Sequence, residues 1–138
     1  VTGELAVRHL GDDRFAIQIR DHTITVDQPL EEGGEDTAPT PTELFIGGLA
    51  ACVAFYGRRY CARHDIDPDG LAVRASFAVG GRPARVTAID LEITPPAQLP
   101  GDRRDGFLAV SSHCTVHNTL SDAPAPRITL EERDSTSS

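Results

Sequence analysis

The residues with the most chemistry in this sequence are cysteines. Cys52 lies in an apolar run, Leu49-Ala50-Ala51-Cys52-Val53-Ala54-Phe55, and Cys114 lies in Ser112-His113-Cys114-Thr115-Val116-His117-Asn118. A cysteine acts as a nucleophile through its thiolate, so a reactive thiol needs a neighbouring cation, a metal or a helix N-terminus. Cys114 has histidines on both sides and arginines upstream. An imidazolium or the start of a helix is expected to lower its pKa. Cys52 lies deep inside a helical stretch, where it would need a nearby Arg. If the fold brings the two together they can cycle between thiol and disulfide. The competing reading of each is a small buried hydrophobe or a structural turn residue. Cys61 follows Cys52 by nine residues, which at ~100° per residue places it about 180° around a helix. It is expected to be structural.

Metal chemistry is the alternative for the same residue types. Cys61-x-x-His64 and Cys114-x-x-His117 have spacings that suit zinc. The first pair falls within a helix, however, and the sequence has no Cys-x-x-Cys. No metal and no cofactor are expected. His9 and His22 read as surface residues. Thr40-Pro41-Thr42-Glu43 is a capping box with Pro at the first helical position, so Glu43 can satisfy an orphan N–H. It can equally orient an arginine, and both readings stand.

These side chains must be positioned by a mixed α+β chain. Residues 5 to 27 read as β structure: Phe15 to Ile19 and His22 to Val26 alternate with period two around turn signals at Gly11-Asp12-Asp13 and Arg20-Asp21. An acidic, Gly-rich loop spans Pro29 to Pro39. A helix is expected from Pro41 to about His64. It is apolar or small on nearly every face through Phe55, so it belongs at the centre of a structure, and its glycines and alanines leave room for another backbone. Leu71 to Val79 and Ala88 to Thr94 read as a hairpin. Gly101 to Ser112 reads as a helix, Cys114 as the start of a helical turn, Arg127 to Glu132 as a last strand, and residues 133–138 as a fraying tail.

With 138 residues the chain has the size of one domain, taken as 1–138 with a β meander over 1–30. Its net charge is −8 and its basic residues are all Arg. That balance repels a phosphate backbone and argues against nucleic acid. No apolar run approaches the roughly 20 residues of a membrane span. No charged segment followed by an apolar one opens the sequence, and three cysteines do not make a secreted disulfide framework, so a cytoplasmic setting is expected.

The stretch Ala38-Pro39-Thr40-Pro41-Thr42-Glu43-Leu44-Phe45, continued by Leu49-Ala50-Ala51-Cys52, resembles the signature of the OsmC/Ohr family of osmotically induced and organic-hydroperoxide-resistance proteins. The second cysteine of that pattern, near an Asn, corresponds to Cys114 and Asn118. The order of elements is also similar across nearly the whole chain. The resemblance implies an α+β fold with antiparallel sheets wrapped around long central helices in an intertwined homodimer, and active sites at the subunit interface. It implies a thiol peroxidase that reduces organic hydroperoxides, with Cys52 as nucleophile, Cys114 as resolving thiol and an external dithiol as reductant. Glu43 and an arginine of the meander would position the thiolate: Arg14 first, Arg20 as alternate, Arg8 third. It also places the acidic loop near the pocket mouth, where it could act as a lid. Two positions depart from the pattern. Thr42 stands ten before Cys52, where the peroxidase branches carry Glu, and Thr115 follows Cys114, where Pro is usual. The alternative implied is a non-enzymatic OsmC-like dimer that binds a small apolar or acidic ligand in the same pocket.

Overall fold

The computed structural model describes residues 2–132, so the tail over 133–138 lies outside the described residues. The chain is a mixed α+β structure with two antiparallel sheets. Strands β1 (Ala6–Gly11), β2 (Arg14–Ile19) and β3 (His22–Val26) form a three-stranded meander in sequence order. The long helix α1 (Pro41–Arg63) follows. Strands β4 (Ala72–Gly80) and β5 (Arg85–Thr94) make a hairpin, and α2 (Arg104–Ser112) and α3 (Thr115–Ser121) complete the order.

The meander register sorts its side chains onto two faces. Val7 pairs with Ile17 and Ile17 with Ile24, while His9 pairs with Phe15 and Phe15 with Val26, so these residues share an apolar face. Arg8 opposite Ala16, and Ala16 opposite Thr25, lie on the other, more polar face, as Arg14 does by its alternation with Ala16. The sheet packs little against α1 or the second sheet, and Val7, Phe15 and Ile24 remain exposed. It is joined to α1 through Asp27. That carboxylate accepts the Gln28 N–H at 2.7 Å and both the N–H and the hydroxyl of Thr37, at 3.0 and 2.6 Å. The hydrogen bonds from Thr37 lead in lowering its pKa from 3.8 to about 2, against the opposing effect of burial. Gly34 is buried in the same loop, where a Cβ would collide with the Gln28 backbone.

The capping box expected at Thr40 is formed. Thr40 Oγ1 accepts the Glu43 N–H at 3.1 Å and Glu43 Oε1 accepts the Thr40 N–H at 2.8 Å. At the other end, left-handed Asp65 lets the Ile66 N–H return to the Cys61 carbonyl at 2.8 Å, closing the helix. Between these ends α1 is buried on one side only. Ile46, Leu49, Val53, Gly57, Tyr60 and Cys61 face inward, while Phe45, Gly47, Gly48, Ala51 and Phe55 lie open. The expectation of a helix enclosed on every side is therefore not met within one chain, because the described residues supply neighbours for a single face.

Helix α2 crosses α1 closely at Gly57. A Cβ there would lie 3.0 Å from both Phe107 Cε2 and Ser111 Oγ. Two buried clusters result. One holds Tyr60, Cys61, Ile66 and Phe107; the other holds Leu49, Val53 and Cys114, with Cys52, Tyr56 and the hairpin residues Ile89 and Leu91 against it. The last strand expected over Arg127 to Glu132 does not form. Those residues join no ladder, and Ile128 and Leu130 are 92% and 96% exposed. Alternation alone does not make a strand: its N–H and C=O groups need a neighbouring edge, and among the described residues none lies beside it.

Candidate active site

Cys52 lies midway along α1, half-buried, with its side chain on the Leu49–Val53 cluster. Cys114 reaches the same place from 62 residues further on. The short connection after α2 ends in extended backbone at Cys114, which becomes the N-cap of α3: its Sγ accepts the His117 N–H at 3.3 Å. Asn118 closes this turn from the side, donating from Nδ2 to the His113 carbonyl at 3.2 Å. The two thiols pack into one cluster, close enough for Cys52 to affect the ionisation of Cys114, and both are free. Cys114 is fully buried, Cys52 is not, and the pair joins two helices remote in sequence.

The environment of Cys114 differs from the one expected. Its pKa is raised above 9.0, with burial the largest cause. The N–H of His117 works in the opposite direction, as a helix start should, while the hydrogen bond and charge of Cys52 push it further up. Desolvation outweighs the half-formed helix terminus. The Nδ1 of His113 donates to the Ala109 carbonyl at 2.6 Å rather than to the thiol. Cys61 sits in the other cluster, fully buried, and burial raises its pKa too. This is the surrounding of a structural thiol. The two Cys-x-x-His pairs lie in separate clusters, and among the described residues no group of three or more His, Cys, Asp or Glu side chains is arranged around a metal position.

The remaining expected site residues are dispersed within the chain. Glu43 has one carboxylate oxygen in the capping box, nine residues before Cys52. Arg14 is on the more polar face of the meander, with its Nε buried and without a hydrogen-bond partner. Arg8 and Arg20 are exposed on the same sheet. Since the meander packs little against α1, the described residues do not bring these arginines to the thiols.

One neighbour of the pair was not foreseen. Tyr56, one turn after Cys52, has its hydroxyl 2.9 Å from that of Thr115, beside Cys114. The i, i+4 spacing from Cys52 is the signal that would have pointed to it. A cavity of about 430 Å³ opens beneath the Leu49–Val53 cluster, walled by Ile89, Leu91 and Leu120, with His117 at its side.

A two-thiol site on an α+β scaffold with a long central helix defines the class of protein. The family model described as OsmC-like protein matches residues 33–131, and the chain belongs to that family. Solved structures agree on the fold. One is a Psychrobacter arcticus protein described as an osmotic stress induced and detoxification response protein; it shares 23% identity over 86% of this chain and 90% of its own, with a TM-score of 0.78. An OsmC-like protein from Mycoplasma pneumoniae is 19% identical over 89% of each chain, TM-score 0.76. An organic hydroperoxide resistance protein from Elizabethkingia anophelis is 15% identical over 89% of this chain and 91% of its own, TM-score 0.68. A search of curated proteins found no match.

Proposed function

We propose that this protein is a thiol-dependent peroxidase that reduces organic hydroperoxides in oxidative-stress defence. The observation that carries the reading is the packing of Cys52 against the cluster that buries Cys114. Cys52, the more accessible thiol, attacks the peroxide as thiolate. The O–O bond breaks, the alcohol leaves with a proton, and Cys52 becomes a sulfenic acid. Cys114 then attacks that sulfur, water leaves, and a Cys52–Cys114 disulfide forms. An external dithiol returns both thiols and is itself oxidised to a disulfide. The name of the Elizabethkingia anophelis protein agrees with this substrate class.

Burial keeps Cys114 protonated while Cys52 reacts, so its S–H can donate toward the Cys52 sulfur. That division of labour suits a nucleophile and a resolving thiol. The cavity under Leu49 and Val53, the residues that pack on Cys114, would take the alkyl part of the substrate. The protein works as one OsmC-like domain in a homodimer, in the cytoplasm. The open face of α1 and the apolar face of the meander supply the contact surfaces, and the active site is completed at the interface. Arg14, with Arg20 as alternate, would then reach the thiol from the partner chain, with Glu43 orienting its guanidinium; the orphaned Arg14 Nε favours Arg14. No helix among the described residues is long and apolar enough to cross a membrane.

The test is steady-state consumption of cumene hydroperoxide with a dithiol, together with intact mass after a stoichiometric dose. Wild type should turn over and lose two hydrogens as the disulfide, whereas Cys52→Ser should fall to the uncatalysed background. Free thiols after treatment, with no sulfenic acid at Cys52, would exclude the mechanism. The apolar cavity also favours a second reading, a dimer that binds a small apolar ligand without turnover. In that case Cys52→Ser would retain its ligand and its biological effect.

A further inference from the structure

We infer that the groove between the second half of α1 and α2 is a carboxylate-binding site, formed by Arg59, Arg63 and His113, which selects an anionic reaction partner for the thiol pair. The groove has a volume of about 330 Å³ and is lined by Tyr56, Arg59, Arg63, Ala109, Val110 and His113. Among the described residues no carboxylate lines it, although the chain carries a net charge of −8. Two arginines and a histidine therefore border one space, with no acidic residue of the described chain on its walls.

The cations are also pre-positioned. The Arg59 guanidinium carbon lies 5.7 Å from the ring centroids of both Phe55 and Tyr56. Stacking of this kind restrains the side chain and leaves its N–H donors available. His113 has Nδ1 committed to the Ala109 carbonyl, so Nε2 is its remaining polar atom. Ala109 and Val110 give the groove an apolar part, which suits a carboxylate carried on a hydrocarbon chain rather than a free inorganic anion.

The position ties the groove to the thiols. Cys52, Tyr56, Arg59 and Arg63 recur at i, i+4, i+7 and i+11, one stripe of the helix. The seven-residue step from Cys52 to Arg59 spans ~10 Å along the axis. From the other side His113 immediately precedes Cys114, and the Tyr56–Thr115 contact lies between groove and thiols. A carboxylate held by the arginines would thus sit a medium-length chain away from the sulfurs. That carboxylate can belong to the hydroperoxide or to the reducing dithiol. This functional assignment rests on the peroxidase reading; binding itself does not.

The first test needs no turnover: calorimetric titration of the wild-type protein with hexanoate and with hexanamide. Hexanoate should bind about tenfold more tightly or better, as expected for charge-assisted hydrogen bonds. Arg59→Gln and Arg63→Gln should each lose most of that preference, and Arg63→Lys should keep part of it. Circular dichroism and thermal melting establish that the variants are folded. Equal binding of acid and amide, or a preference that survives both glutamine variants, overturns the site. Kinetics then identify the source. A carboxylated hydroperoxide is compared with its methyl ester at fixed neutral dithiol, and 6,8-dimercaptooctanoate with its amide at fixed cumene hydroperoxide. A preference for the acid in either arm that collapses in Arg59→Gln supports selection through that partner. No acid preference in either arm, with turnover intact, overturns selection. No turnover at all, with hexanoate still preferred, defeats the peroxidase reading and leaves the carboxylate site standing.

Discussion

In the helical half of the molecule, α1, α2, α3 and the β4–β5 hairpin interlock. Gly57 admits Phe107 and Ser111 to within 3.0 Å of where a Cβ would be, and Leu49 and Val53 close over Cys114. In the β1–β3 meander the apolar face of Val7, Phe15 and Ile24 is open, and the sheet is held to the rest mainly through the loop that Asp27 organises. The first region closes around its thiols in a single chain, although one face of α1 stays open. The second has strand pairing and register but, among the described residues, no layer over Val7, Phe15 and Ile24, although a sheet with an apolar face needs something to cover it. The thiol pair belongs to the complete region and the candidate arginines to the incomplete one. The two candidate thiols are thus together in one chain, while the candidate arginines lie on a sheet whose apolar face is uncovered.

The comparison breaks most sharply at assembly. Phe15→Glu with Ile24→Glu places charges on the open apolar face and should convert a dimer to monomer in sedimentation. The pair should still form a disulfide under a strong dithiol oxidant, while peroxide turnover is lost. Dimer retained with full activity would show that the meander face is not the contact surface. A smaller effect is expected inside the complete region. Gly57→Val should cost about 1–3 kcal/mol in denaturant unfolding, because the added methyls meet the Phe107 ring and Ser111. A neutral result would mean that α1 and α2 separate without penalty.

The pH response should be smallest, and it should differ between the halves. Cys61 and Cys114 have pKa values raised above 9.0, so above that pH the folded chain retains protons that the unfolded chain has lost. Stability from this source is full below pH 9 and declines as pH rises. Asp27 behaves oppositely: its pKa is lowered from 3.8 to about 2, so its contribution is full above pH 4 and lost as pH falls through about 2. Cys61→Ala should flatten the alkaline decline, and Asp27→Asn the acid one. Melting curves across pH that remain unchanged in both variants would contradict the assignment of these shifts.

The elements were readable where local chemistry decides them. The capping box at Thr40 and Glu43, the closing turn after Arg63, the hairpin and the turn at Cys114 follow from side chains within a few positions of the backbone they satisfy. Helical phase alone was enough to separate Cys61 from Cys52. The prediction failed where the outcome depended on groups remote in sequence. Alternation at Arg127 to Glu132 matched a strand, yet no edge receives it among the described residues. The histidines beside Cys114 suggested an acidic thiol, yet burial under Leu49 and Val53 dominates. Tyr56, Arg59 and Arg63 read as the ordinary polar half of a helix until α2 was placed across them.

By itself, the sequence determined the family, the order of elements up to Ser121 and the placing of Cys61 away from Cys52, because spacing, capping and periodicity act over a few residues and need no partner. Only the tertiary structure decided that Cys52 and Cys114 share one cluster, that Cys114 is desolvated rather than activated, and that the meander arginines stand away from the thiols of their own chain. Each of these depends on which distant surfaces exclude water from one another, and that is settled by packing rather than by neighbours along the chain.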